Sequence, residues 1–511
     1  MIFMTDHTEN TKRIAKNTLM LYFRMFFLMF LGLFTSRIVL EALGENDYGI
    51  YNVVGGVVAM FTVISGSLAT AVSRFITFEL GKGFQARLDK VFSTAVAVQI
   101  MLALVVVILA VPCGIWFIDH KMTIPTESIP AARWVLYFSI LSFAVNLMSV
   151  PQMALITAHE RMSAYAYIGI IDGVLRLVTA LLIYFSPSGR LVLYAALMLV
   201  TVALVRLCYG LYCRRHFPDC RFRPVFERTL LKEMFSFAGW DFIGTASGVL
   251  RDQGGNILVN MFFGTAMNAA RGIAFQLSGA VQGFVTNFMT AVNPQITKSY
   301  AAGEYPYMFS LVRKASRMSY YLLFIFALPL LFNTEFVLDI WLKEVPEDSV
   351  VFVQLFLIFS LSESLARPLV TALLATGNIR NYQIIVGGLQ LVNLPVSYLL
   401  LRLGYPAEVT VAVSIVISQI CISVRLFIMK RQMDFPMTDF IMRVYLNVIA
   451  VTASAVILPF VCSRFIPDTA LGSVGNIFLV FVCAVGSIYL VGCSSKERKE
   501  LVSMVFKRRQ A

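Results

Sequence analysis

Charge is scarce in this chain. Only 14% of its 511 residues are Asp, Glu, Lys or Arg, against about 25% in an average soluble domain. Histidine is scarcer: His7, His120, His159 and His216 are all there is, each in a connection or at the edge of an apolar run. The eight cysteines (113, 208, 213, 220, 421, 462, 483 and 493) form no C-x-x-C pair. Cys213, His216 and Cys220 lie together, but a fourth ligand is missing and the spacing is not a standard zinc pattern, so they read as part of a basic loop. No phosphate loop of the form GxxxxGK[ST] occurs, so ATP is not the evident energy source. No catalytic constellation appears either, and the reading is a non-enzyme with no cofactor and no metal.

What is abundant is apolar surface. Hydrophobic residues make up 58% of the chain, and mean hydropathy is +0.77. A soluble multidomain protein or a disordered chain is incompatible with those values. Spanning a bilayer takes roughly 20 mostly apolar residues. Fourteen such runs occur: 17–40, 49–77, 91–117, 132–156, 163–185, 190–212, 234–262, 269–292, 317–341, 349–376, 382–402, 407–429, 439–462 and 471–493. None shows the alternation of a membrane β-barrel strand. The first run carries Arg24 and Arg37 and lacks a small-residue cleavage site, so it reads as a retained helix. The expected fold is an all-α polytopic membrane protein.

The net charge of +13 would suggest nucleic acid in a soluble protein. Here its distribution sets orientation instead. Alternate connections hold 26 Lys and Arg on one side and 6 on the other. Both termini are therefore expected in the cytoplasm of a multi-pass inner-membrane protein. The loops on the opposite side are short, and the longest, 118–131, has about fourteen residues.

The longest cytoplasmic connection divides the chain after the sixth span. A shift of 220 residues lays span 2 over span 8 without a gap. Thr70-Ala71-Val72 then meets Thr290-Ala291-Val292, Ile76-Thr77 meets Ile296-Thr297, Gly44 meets Gly264 and Gly83 meets Gly303. Six helices separate the copies, so both run the same way, as in a parallel transporter repeat. The expected organisation is a six-helix lobe over 1–212, a basic linker over 213–233, a pseudo-symmetric six-helix lobe over 234–430, two extra helices within 431–493, and a basic amphipathic tail over 494–511. The tail interleaves basic residues with Leu501, Val502, Val505 and Phe506, as a helix lying on an anionic leaflet does.

Ten arginines remain inside the spans. Each ionisable group there costs at least ~2.5–3.5 kcal/mol and needs a reason. Arg74, Arg206, Arg425 and Arg443 lie near cytoplasmic ends and are expected to snorkel. Asp172–Arg176 and Glu363–Arg367 are i,i+4 pairs with the acid first, the better orientation. Span 7 carries Asp241, Thr245, Gly248, Asp252 and Asn256 on one face, which reads as a water-filled path or a cation site, with Asp241, Asp252 and Asn256 as coupling-ion candidates. Asn52 in span 2 and Gln276 in span 8 stand in stripes of small residues and suit a polar cavity. Arg24, Arg37 and Arg271 have no evident local partner, and Arg251 flanks the span 7 stripe. Unpaired arginines suit a phosphate-bearing substrate, because guanidinium grips phosphate bidentately.

The runs NTLMLYFRMFFLMFLGLFTSRIVLEALGENDYGIYNVVGGVVAMF (17–61) and FFGTAMNAARGIAFQLSGAVQGFVTNFMTAVNPQITKSYAAGE (262–304) resemble the Wzx-type O-antigen and polysaccharide flippases. These belong to the multidrug/oligosaccharidyl-lipid/polysaccharide (MOP) exporter superfamily, and the likeness extends over the whole chain. The resemblance implies a V of two six-helix lobes, in some members with two added helices. It implies alternating access that flips undecaprenyl-pyrophosphate-linked oligosaccharide, an O-antigen or capsule repeat unit, to the periplasmic leaflet. Arg24, Arg37, Arg251 and Arg271, with Gln276 and Asn52, then become candidate contacts to pyrophosphate or sugar. Expected partners are the lipid-linked substrate, membrane lipids and a polysaccharide polymerase, with no nucleic acid. After Trp240 the family often has a neutral polar residue, and Asp241 stands there in this chain. A multidrug/cation antiporter of the same superfamily is the alternative; it calls for an acidic, aromatic-lined pocket, which the intramembrane arginines oppose. A membrane enzyme would need a long outward loop or an interfacial catalytic group, and a scaffold would not retain costly buried charges.

Overall fold

The computed structural model describes residues 7–498, apart from 60, 84, 121–125, 188, 218–226, 343–344, 347, 463–468 and 496. Residues 218–226 of the basic linker and residues 496 and 499–511 of the tail lie outside the described residues, as does the side chain of Asn52. The helices in chain order are α1 (His7–Ala59), α2 (Thr62–Lys82), α3 (Gln85–His120), α4 (Ile129–Leu147), α5 (Val150–Ala158), α6 (Met162–Tyr184), α7 (Arg190–His216) and α8 (Arg228–Ala301). They continue as α9 (Tyr305–Phe332), α10 (Thr334–Trp341), α11 (Ser349–Thr376), α12 (Arg380–Arg402), α13 (Val409–Met433), α14 (Met437–Phe440), α15 (Leu446–Cys462) and α16 (Ala470–Ser487). Single π-helical turns join α14 to α15 and close α16.

Eleven helical segments are long and apolar enough to cross a membrane among the described residues. The other three expected spans, 49–77, 234–262 and 269–292, are helical but not among the eleven. Two of them carry the arginines and aspartates of the 241–271 region, which lower their apolarity. Large apolar side chains face outward all along the eleven, from Phe30 and Ile108 to Phe478. In water such a surface would aggregate; in lipid it is the required solvent face. The molecule is a multi-pass membrane protein.

The chain forms two compact units, one of residues up to Thr245 with Thr290–Gly303, the other of Ala246–Met289 with everything from Glu304. In the first unit α1 lies along α6, and α4 packs between α3 and α7. Val54 and Val58 of α1, Val106 and Ala110 of α3, Val135 and Leu136 of α4 and Leu191 of α7 share one core. The α5–α6 turn is fixed by Glu160, whose φ is +59°. Its carboxylate is 1% exposed and takes Arg13 Nε, Lys298 Nζ and Gln295 Nε2, each at 2.7 Å. Asn17 donates to the Glu160 carbonyl.

In the second unit α11 packs on α9 and α13. α15 and α16 attach to α9 and the residue that follows it. Tyr320 bonds Thr452 at 2.8 Å, Tyr321 donates to Asn447, and Asn476 donates to Asn333 at 3.0 Å.

The 220-residue repeat is written into the backbone. Gly44 breaks α1 with φ 75°, ψ 170°, and Gly264 breaks α8 with φ 81°, ψ −167°. That region is essentially closed to other residues. Gly83 and Gly303 then sit just past the ends of the following helices with φ 73° and 75°, the left-handed conformation that glycine adopts at helix C-termini. Each break leaves helical carbonyls without their usual donors. At the first, Arg190 Nη1 donates to the Ala42 carbonyl at 2.9 Å.

Candidate functional site

The first unit contains a cavity of about 510 Å³ among α1, α4, α6 and α7. α4 presents Ser139, Ser142, Asn146 and, just past its end, Ser149 to it, a polar stripe on one helical face of an otherwise apolar segment. Tyr165 and Tyr209 supply aromatic walls from α6 and α7. The charged groups are Arg24, Asp172 and Arg176. A second cavity of about 440 Å³ shares Tyr51, Asp172 and Arg176 with the first.

Arg24 lies across α6. Its guanidinium sits 4.4 Å from the centre of the Tyr165 ring. Gly169 makes room for it, since a Cβ there would fall on the Arg24 side chain. The Arg24 Nε is buried without a hydrogen-bond partner. Asp172 and Arg176 pair as expected, Oδ1 to Nε at 3.1 Å, with both side chains partly open. Lone pairs of Asp172 and four N–H groups of Arg176 therefore remain for other partners.

Asp241 also belongs to this unit. It is 7% exposed and hydrogen-bonds Ser67 of α2. Arg37 is exposed on α1.

The second unit holds the rest of the predicted residues. Arg251 is not unpaired: its Nε lies 2.9 Å from Asp252 Oδ1, and its guanidinium covers Phe359. The expectation that Arg271 lacks a local partner is corrected. It donates to Asn256 Oδ1 at 2.7 Å, to Thr410 Oγ1 at 3.2 Å and to the Asp252 carbonyl at 3.5 Å, and it is 5% exposed. Gly255 leaves space for it, because a Cβ there would come within 2.5 Å of Nη2. Gln276 is exposed on α8.

Glu363 and Arg367 do not form the expected pair among the described contacts. Glu363 accepts from Ser418 at 2.8 Å, and Arg367 donates to Gln282 at 3.2 Å. Ser418 continues through Ser362 and Gln419 to the Tyr445 hydroxyl, which ties the turn before α15 to α11 and α13. Arg425, expected to snorkel, is instead buried at 3% exposure beside Glu363 and Tyr382, with Nε and Nη1 unbonded. The stripe of span 7 is thus divided: Asp241 faces α2 in one unit, while Asp252 and Asn256 hold arginines in the other.

Sequence reasoning missed the α4 polar stripe, Thr410 and Glu160. The stripe had a signal, because 139, 142, 146 and 149 follow helical spacing. Glu160 and Thr410 had none, since their partners are 135 or more residues away in the chain.

The sequence profile of a family described as polysaccharide biosynthesis protein matches residues 14–300. A curated relative, the uncharacterized membrane protein EpsK of Bacillus subtilis (strain 168), is 22% identical over 295 residues, 57% of this chain and 58% of its own. The chain thus spans a little over half the length of that relative. Among solved structures, a MATE protein in complex with MaD3S is 13% identical with a TM-score of 0.71, over 84% of this chain and 97% of its own. A MOP superfamily transporter from Pyrococcus furiosus, described by the reverse polarity of its binding pocket, is 12% identical with a TM-score of 0.67, over 84% and 96%. These two likenesses show the fold.

Proposed function

We propose that this chain, which belongs to the polysaccharide biosynthesis protein family and shares the fold of a MOP superfamily transporter, is a flippase that translocates a polyprenyl-pyrophosphate-linked oligosaccharide, with no enzymatic step, by alternating access. The direction is from the cytoplasmic to the periplasmic leaflet of the inner membrane, with both termini cytoplasmic. The source of the substrate is a glycan assembly line, and a polymerase that extends the glycan is the expected neighbour.

The observation that carries this reading is the Arg24 cavity. A sugar diphosphate cannot cross ~30 Å of hydrocarbon unaided. It needs cations for the phosphates and hydroxyl or amide partners for the sugars, inside an apolar bundle. Two arginines stand against one aspartate in the cavity wall, and one arginine has a buried, unbonded N–H. The hydroxyls and amide of α4 and the rings of Tyr165 and Tyr209 suit a glycan, which hydrogen-bonds at its edges and stacks on its faces. Arg251 and Arg271 support the fold of the second unit in this reading, and Arg24 contacts the pyrophosphate. Counterflow of a cation through Asp241 or Asp252 is the coupling we favour.

A cation antiporter would want an acidic pocket, and the net charge of this lining points the other way. The test is transport by purified protein in liposomes. Movement of a labelled lipid-linked oligosaccharide, and no movement of a labelled organic cation, is expected; the reverse result sinks the proposal. If Asp241→Asn and Asp252→Asn both leave the rate and its pH or sodium dependence unchanged, cation coupling is excluded.

A further inference from the structure

Away from the Arg24 cavity, α5 packs against both α3 and α7, and between those two helices lies a groove of about 820 Å³. Phe92, Val96 and Ile100, one turn apart on α3, form one wall. Leu207 and Leu211 of α7 form the other and are 59% and 65% exposed. Burying such walls against hydrocarbon chains is favourable.

The groove is also cationic. Arg206 and Arg214 line it from α7, and no acid does. Gly210 lies between them in sequence. A Cβ there would sit 3.8 Å from Arg206 Nη1, so this guanidinium runs along the helix toward the Arg214 end. Neither arginine has a hydrogen bond or ion pair among the described residues. On the groove floor Gln152 is 7% exposed, and its Oε1 has no hydrogen-bond partner. An unbonded buried amide oxygen costs about 1–3 kcal/mol, so it calls for a donor.

Apolar walls, two cations along the α7 side and a waiting acceptor describe the imprint of one class of molecule. A soluble anion would leave the walls bare. A sterol would leave the arginines without a counter-charge. We propose that the groove is a binding site for one anionic glycerophospholipid from the leaflet bordering the Arg214 end of α7. The acyl chains lie along the α3 and α7 walls. The phosphate sits between the Arg206 and Arg214 guanidiniums, whose planar forks match it bidentately. A headgroup hydroxyl donates to Gln152 Oε1. This site is separate from the transported substrate and does not depend on its identity.

The test is lipid retention by the purified full-length protein, first equilibrated in mixed micelles of phosphatidylglycerol and phosphatidylethanolamine and then delipidated. Native mass spectrometry reads the lipid kept per chain. The wild type is expected to retain one phosphatidylglycerol in preference to phosphatidylethanolamine. With ~1 kcal/mol per basic residue near a lipid phosphate, Arg206→Gln with Arg214→Gln should lower that retention at least about tenfold. The double Lys variant, which keeps both charges, should retain most of it. Gly210→Leu, which fills the groove and leaves both cations, should lose it as well. Equal retention by the Gln and Lys double variants, or no headgroup preference in the wild type, overturns the proposal. Displacement of the bound lipid by equimolar polyprenyl diphosphate overturns it too, because the groove would then serve the carrier.

Discussion

Arg24 in the first unit and Arg271 in the second are built alike and used differently. Each lies over a glycine that clears space for it, Gly169 or Gly255. Each covers an aromatic ring, Tyr165 or Phe356. Arg271 then donates to three oxygens of its own unit, whereas the Arg24 Nε donates to none. A buried guanidinium whose donors are met by the fold is a brace. One whose donor is unmet beside a polar cavity is poised for a ligand. Burial alone therefore does not identify a transport residue; the inventory of its partners does.

The largest expected effect falls on the brace. Arg271→Leu removes hydrogen bonds to a charged group and takes from Asn256 Oδ1 and Thr410 Oγ1 the donor they accept from, a loss of about 3 kcal/mol. Detergent-solubilised protein should unfold at clearly lower temperature, and its yield should drop. A normal unfolding temperature would remove the distinction between the two arginines.

Next is Arg24→Gln. Stability should change by less than about 1 kcal/mol, because the fold supplies no hydrogen bond to Nε. Transport should fall about 10–100-fold, the worth of one or two charge-assisted hydrogen bonds. A smaller contrast comes from the glycines. In Gly255→Ala the new methyl meets a guanidinium held by three partners, at a cost of about 1–2 kcal/mol. In Gly169→Ala the Arg24 side chain moves toward the cavity, so stability holds while transport falls. Equal destabilisation in both would mean that Arg24 is as rigidly held as Arg271.

The smallest effect concerns His159, beside the Glu160 hub. Burial against Phe217 holds its pKa below the ordinary imidazole value, and Lys298 and Arg161 push the same way, against the Leu155 carbonyl and Glu160. The unfolded chain therefore binds the proton more readily than the folded one. Its contribution to stability is present above the ordinary imidazole range and is lost as pH falls through it. Thermal unfolding between pH ~5 and ~7.5 should be flatter in His159→Phe than in the wild type. Identical slopes would remove this residue from the pH response.

Much of this organisation is legible in the residues alone. Hydropathy located eleven of the fourteen expected spans because lipid demands an apolar exterior. The 220-residue shift placed Gly44 on Gly264 and Gly83 on Gly303 because a backbone geometry closed to other residues leaves a glycine in the sequence. Local pairing was legible too, as in Asp172–Arg176. What was not legible is competition from distant helices. Glu363 and Arg367 have the same spacing as Asp172 and Arg176, yet Ser418 and Gln282 take them. Thr410 satisfies Arg271 from 139 residues away. Arg425 has the spacing of a snorkelling side chain and instead stays inside, next to Glu363.

The central claim is that Arg24 meets the diphosphate of the substrate. Its most direct measurement is the affinity of purified protein for a polyprenyl diphosphate, compared between wild type and Arg24→Gln at equal folded concentration. Loss of one charge-assisted hydrogen bond predicts binding weaker by about tenfold or more in the variant. Equal affinities would contradict the assignment of Arg24 to the substrate.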